Sequence, residues 1–104
     1  MKIEIDTELM DANAEIAADF LKSMANSIRL RIMCRLLEEE KTAGEMSEII
    51  GISQANMSQH LSWLKKADLV KTRRERTTIF YSLNGDKIVP FMSVMHDMFC
   101  KIED

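Results

Sequence analysis

The chain has 104 residues, 46% of them hydrophobic and 30% charged, which is one soluble domain with no room for a second core and no mark of disorder. No apolar run approaches the ~20 residues of a membrane span. The acidic start, Met1-Lys2-Ile3-Glu4-Ile5-Asp6, lacks the apolar core of a signal peptide, so a cytoplasmic location is expected, with Cys34 and Cys100 as thiols.

As a sum, the net charge of −3 argues against a nucleic-acid partner. Its distribution reverses that reading. Residues 1–26 carry two Lys/Arg against six Asp/Glu, whereas 53–81 carry six against two. Phosphate responds to the local patch rather than to the total.

Leu9, Ile16, Phe20 and Met24 fall near helical spacing and predict a first helix over 8–25. Asn26 or Ser27 caps a second, running to about Glu39, with Ile28, Ile32, Met33, Leu36 and Leu37 inward and Arg29, Arg31 and Arg35 outward. Thr42-Ala43-Gly44-Glu45 is a capping box that opens a third helix, with Met46, Ile49 and Ile50 inward. Gly51 ends it, since glycine tolerates the left-handed conformation past a helix end. Ile52 packs inward. Ser53 caps a fourth helix, Gln54 to Lys66, whose buried stripe is Met57, Leu61 and Leu64.

Two short helices joined by the tight Gly51-Ile52-Ser53 turn spell a helix-turn-helix over 42–66. Leu69–Arg74 and Thr78–Leu83 read as a β-hairpin with Glu75, Arg76 and Thr77 between the strands, a wing over 69–83. A last helix is expected over 87–101, with Pro90 tolerated in its first turn and a broad apolar surface of Phe91, Met92, Met95, Met98 and Phe99. The expected fold is mainly α with a small β-hairpin: a winged helix-turn-helix in the order α-α-α-α-β-β-α, one domain over 1–104. The helices at 8–25 and 87–101 exceed what so small a core needs and are read as the surfaces of a homodimer.

The fourth helix turns Ala55, Gln59, Ser62 and Lys66 away from its apolar stripe, with Gln54 and Ser58 in its N-terminal half. Gln and Ser can bond base edges, Ala can touch a thymine methyl, and the helix N-terminus offers amides to a phosphate. Arg73, Arg74 and Arg76 cluster at the hairpin tip, suited to phosphate or minor-groove contact. The bland alternatives are a solvated helix face and an edge strand kept soluble by charge. Turn, cap and hairpin together favour double-stranded DNA. No phosphate-binding loop, nucleophile elbow or metalloprotease motif is present, so an enzyme is not expected.

Four segments resemble the ArsR/SmtB family of bacterial winged-helix repressors: Leu21-Lys22-Ser23-Met24-Ala25-Asn26, Arg29-Leu30-Arg31-Ile32, Ile52 through Leu61, and Ile79-Phe80-Tyr81-Ser82-Leu83. The resemblance covers roughly residues 12–100. It implies a transcription regulator that binds an imperfectly palindromic operator as a homodimer, under control of a ligand, with Gln54, Ala55, Ser58 and Gln59 on the bases. Some relatives repress, others displace a silencing protein, and repression is the expectation here. Where many members carry a metal-binding Cys-x-Cys this chain has Thr42 and Gly44, and the usual wing-tip glycine is Arg76.

By themselves Cys34 and Cys100 read as small buried hydrophobes. The segments Ile32-Met33-Cys34 and Met98-Phe99-Cys100 resemble the family's dithiol persulfide sensors. That resemblance implies that reactive sulfur species bridge Cys34 and Cys100 within one protomer, as a disulfide or polysulfide, and release DNA. Arg31 and Arg35 beside Cys34 would favour its thiolate. The alternative is a metal-responsive or ligand-independent regulator with structural cysteines. His60, His96, Asp97 and Cys100 are possible ligands, but the helical pair His96 and Cys100 is two ligands, not a tetrahedral set. Asp86, His96 and Asp97 do not match the spacing of the family's last-helix metal sites. Met92, Met95 and Met98 at helical spacing read as core or interface rather than a copper site. Neither a cofactor nor a resident metal is expected.

Overall fold

The first four helices each begin at a side chain that accepts amide protons the opening turn leaves unpaired. In the computed structural model, which describes residues 2–100, Asp6 accepts from the Leu9 amide at 2.9 Å and opens α1, Thr7–Met24. Asn26 accepts from the amides of Ile28 and Arg29 and opens α2, Ser27–Glu38. The capping box closes on both sides: the Glu45 amide donates to Thr42 Oγ1 at 3.1 Å and the Thr42 amide to Glu45 Oε1 at 2.9 Å. This starts α3, Ala43–Ile50. Ser53 accepts from the Asn56 amide and starts α4, Gln54–Lys66.

The turn between α3 and α4 is fixed from within. Gly51 takes a φ of +80°, which a side chain would strain. Ser47 is buried, and its hydroxyl donates to the Ile52 carbonyl at 2.6 Å while the Ile52 amide donates back to the Ser47 carbonyl. Beneath it Ile32, Met33, Met46, Met57, Leu61, Leu64 and Leu69 are almost wholly buried and fuse α2, α3 and α4 into one core.

A two-residue strand, β1 (Lys41–Thr42), precedes α3. It pairs antiparallel with β3 (Thr78–Leu83), which pairs on its other side with β2 (Val70–Glu75), giving a sheet in the order β1-β3-β2. The hairpin expected from sequence is therefore the outer part of a three-stranded sheet. The missing strand is too short to carry an alternation, and its partners Tyr81 and Phe80 lie far along the chain. α5, Ile88–Cys100, closes the domain with Ile88 and Met92 in the core. The order is α1-α2-β1-α3-α4-β2-β3-α5. Helix bounds agree with expectation to within about a residue, and Lys101, the expected end of the last helix, lies outside the described residues.

Two apolar expectations are corrected. Ile49, expected inward, is 42% exposed on α3, because Met46 and Ile50 already occupy the face toward the core. In α1 only Met24 is buried; Leu9 and Ile16 face solvent in the single chain. α5 is similar, with Met98 69% and Phe99 75% exposed. The two terminal helices thus carry apolar surface that the chain's own core does not cover.

Candidate DNA-reading surface and dithiol pocket

Met57, Leu61 and Leu64 anchor one side of α4 in the core. That seating leaves Gln54, Ala55, Ser58 and Gln59 exposed together on the N-terminal half of the helix, the four positions singled out for base contact. Lys65 and Lys66 lie in its last turn. Trp63 is 55% exposed, and the Arg29 guanidinium lies over its ring at 5.3 Å, while Arg29 Nε donates to the Ser23 carbonyl at 2.9 Å. Arg29 therefore does not simply face solvent; it ties α1 and α4 to the start of α2.

The three wing arginines differ. Arg73 is held by carboxylates: its Nε lies 2.8 and 3.0 Å from the two Glu40 oxygens, and its Nη1 3.0 Å from Glu75 Oε2. Its guanidinium also covers the Phe80 ring at 4.3 Å. These bonds hold the arginine proton more firmly still and lower the Glu40 carboxyl below its ordinary range, chiefly through the hydrogen bond from Arg73. Because Phe80 is on the central strand and Glu40 adjoins β1, Arg73 straps the sheet from edge to edge. Arg74 Nε donates to the Arg76 carbonyl at 3.1 Å and closes the tip. Arg76 occupies the left-handed region at φ +58°, the place where a glycine would be unstrained. All three are exposed, and it is Arg73 alone of them that pairs with carboxylates among the described residues.

The thiols converge elsewhere. Cys34, half-buried on α2, and Cys100, at the exposed end of α5, line one cavity of about 330 Å³ with Leu30, Met92, Met95, His96 and Phe99. Both are free thiols. Burial first, and the neighbouring Cys100 second, push the Cys34 thiol above its ordinary range. This corrects the expectation that Arg31 and Arg35 favour a thiolate there. Arg31 Nη2 reaches instead for the Ile50 carbonyl at 3.4 Å, and Arg35 Nη1 lies 3.8 Å from Glu38. The cavity wall is largely apolar, so desolvation leads the effect on Cys34, with Cys100 second.

Among the described residues no three His, Cys, Asp or Glu side chains converge as a metal site. His96 Nδ1 is 4.0 Å from Asp97 Oδ1. Among the described residues no helix is long and apolar enough to cross a membrane. A larger cavity of about 810 Å³, between α1, the α4–β2 turn and the start of α5, holds no thiol and none of the base-facing residues. Local sequence carried no signal for the Glu40–Arg73 strap or the Arg29–Trp63 stack, which join residues 33 and 34 apart.

Known proteins share this geometry. The profile of the bacterial regulatory proteins of the arsR family matches residues 26–72, from the cap of α2 into β2. The transcriptional activator HlyU of Vibrio cholerae is 40% identical over 92 residues, covering 88% of this chain and 85% of that protein. The biofilm growth-associated repressor of Xylella fastidiosa is 35% identical over 96 residues, covering 92% and 84%. Among solved structures, reduced HlyU from Vibrio cholerae superposes with a TM-score of 0.84 at 39% identity, covering 90% of this chain and 99% of that one. The transcriptional repressor BigR from Xylella fastidiosa gives 0.83 at 34% identity, covering 94% and 100%.

Proposed function

The chain belongs to the bacterial arsR family of regulatory proteins, and from that footing we propose that it is a repressor whose operator affinity is set by reactive sulfur species that bridge Cys34 to Cys100. The observation that carries the reading is that both thiols line a single apolar cavity between α2 and α5. An organic persulfide supplies the oxidising equivalents. Two protein thiols and one persulfide give the disulfide, one organic thiol and hydrogen sulfide. A second persulfide inserts one further sulfur and leaves as the organic thiol. Each protein thiol loses its proton, and the leaving sulfur takes it up. One relative's solved structure is specified as its reduced form.

The reading head consists of Gln54, Ala55, Ser58 and Gln59 against base edges, with Arg74 and Arg76 toward the sugar-phosphate backbone. Arg73 contributes by holding the wing in place, and its cation lies beside any phosphate the tip reaches. In a homodimer formed through α1 and α5, the uncovered apolar surfaces would be buried and two α4 helices would meet major grooves ~34 Å apart. Through Ile32, Met33 and Leu36, α2 supports the helix-turn-helix, whereas α5 carries the exposed face of the proposed interface. A bridge between them couples sulfur chemistry to the spacing of the two reading heads. Allosteric coupling needs only ~1–3 kcal/mol.

The test is intact mass and peptide mapping of anaerobically reduced protein after an organic persulfide and, separately, after hydrogen peroxide, together with binding to a duplex selected from a random pool. Sulfur linking Cys34 to Cys100 within one chain, with loss of duplex binding that Cys34→Ser prevents, supports the proposal. Free thiols after persulfide treatment, or full binding by the bridged protein, overturn it.

A further inference from the structure

We propose that the same cavity is a binding site for a soft monovalent metal ion, copper(I), held by the sulfurs of Cys34 and Cys100 with a thioether from Met92 or Met95. Four sulfur side chains line this one space: two thiols and two thioethers, backed by Leu30 and Phe99. In sequence the methionines form part of an apolar stripe. In the fold they part company: Met92 is buried against the cavity, Met95 is half-buried beside it, and Met98 is turned out to solvent. The sulfur donors are therefore sorted by position, and those left in the cavity come from two different helices.

The donor set selects among metals. Thiolate and thioether ligands suit copper(I), whereas zinc in a closed site asks for four nitrogen, thiolate or carboxylate ligands. Among the described residues the cavity offers only Cys34, Cys100 and His96 as such side chains, and they form no convergent group of three. Copper(I) is satisfied by two or three sulfurs and has no need of a water ligand. On binding, both thiols lose their protons to solvent, the metal keeps its oxidation state, and the bis-thiolate complex carries one negative charge. The exposed end of α5 at Cys100 gives that charge contact with solvent.

The sulfur cluster alone carries this site, so copper binding stands or falls separately from the persulfide reading. The two meet at one point: copper and a sulfur bridge need the same two Sγ atoms, so loading with one blocks the other.

The experiment is an anaerobic titration of the full reduced chain with copper(I) buffered by bicinchoninate, with no sulfur donor present. The expected result is one ion per chain, with ultraviolet copper–thiolate absorption, lost in Cys34→Ser and in Cys100→Ser. The double variant Met92→Leu/Met95→Leu is expected to bind at least about ten-fold more weakly, the scale on which loss of a supporting group acts at metal sites. Leucine preserves the apolar volume, and if the double variant does not fold, Met92→Leu and Met95→Leu are each tested, with weaker binding expected in at least one. The methionine variants should still be bridged by persulfide. Retention of all copper by bicinchoninate, or wild-type affinity in the methionine variants, overturns the proposal. Failure of persulfide bridging alone leaves the copper result intact and counts only against the sulfur-sensing reading.

Discussion

Bridging Cys34 to Cys100 should make the protein more stable to heat while making it a poorer DNA ligand. The two residues are 66 apart and enclose α3, α4 and the whole wing. Closing a loop of that length removes roughly 4 kcal/mol of unfolded-chain freedom in the entropy model. That figure is a ceiling, because both thiols line an open cavity and a direct disulfide requires Cβ atoms ~3.8 Å apart. If half survives the strain of closing the gap, a domain of about 100 residues gains about 9 °C in its unfolding midpoint. A polysulfide spans the gap with an extra ~2 Å per sulfur and should gain more than the disulfide. The assay is circular-dichroism melting of reduced, disulfide and polysulfide forms at one protomer concentration, since dimerisation makes the midpoint concentration-dependent. Duplex binding is measured on the same samples. A bridged protein that melts at or below the reduced form would show that bridging distorts the fold, and DNA release would then be damage rather than switching.

Other expectations follow from individual side chains. Arg74→Ala should weaken binding to operator and scrambled duplexes alike and lower the salt-dependence slope by about 0.9, one phosphate's worth. Gln59→Ala should instead change base preference, and equal losses on both duplexes would remove its reading role. Arg76→Gly should stabilise the reduced protein by about 1 kcal/mol in denaturant melts, since a non-glycine residue in the left-handed region costs roughly that much, while lowering DNA affinity through loss of a tip cation; an unchanged midpoint would show the tip to be unstrained. At neutral pH, iodoacetamide should modify Cys100 before Cys34, because burial disfavours the Cys34 thiolate. The folded chain holds that proton more tightly than the unfolded one, so this group's contribution to stability is intact below the unfolded thiol's range and is lost as pH rises through the raised folded value. Cys100→Ser should leave Cys34 still slow, since Cys100 is the lesser of the two causes; an ordinary thiol titration in that variant would make it the greater.

What can be read in the sequence depends on how far apart the cooperating residues lie. The proposed reading head is local. Asn26, Thr42 and Ser53 each cap a helix through an amide two or three residues on, Gly51 ends α3 beside its own turn, and Met57, Leu61 and Leu64 repeat at helical spacing. Fixing those few residues fixes which face of α4 is left for Gln54, Ala55, Ser58 and Gln59. The parts that are not legible are those where distant segments meet. β1 exists only because Lys41 and Thr42 find Tyr81 and Phe80, and Arg73 is strapped only because Glu40 adjoins that pairing. Arg31 looks solvated by helical position, yet the Ile50 carbonyl at the end of α3 comes within its reach.

The dithiol pocket is the extreme case. Helical periodicity places Cys34 beside Leu30 and Leu37 and Cys100 near the end of α5, but nothing in either helix says that they share a cavity. That depends on how α5 crosses α2 after the wing has intervened, a relation fixed by the burial of Ile88 and Met92 against the common core. A resemblance to dithiol sensors points to the pair, and packing supplies its setting: thioethers from Met92 and Met95 beside the thiols, and a wall that raises the Cys34 proton affinity instead of lowering it. Restrained thiolate formation reverses the usual picture of an activated sensor cysteine. If persulfides bridge the pair as proposed, exposed Cys100 is expected to attack first, with Cys34 closing the bridge once sulfur is already in the pocket.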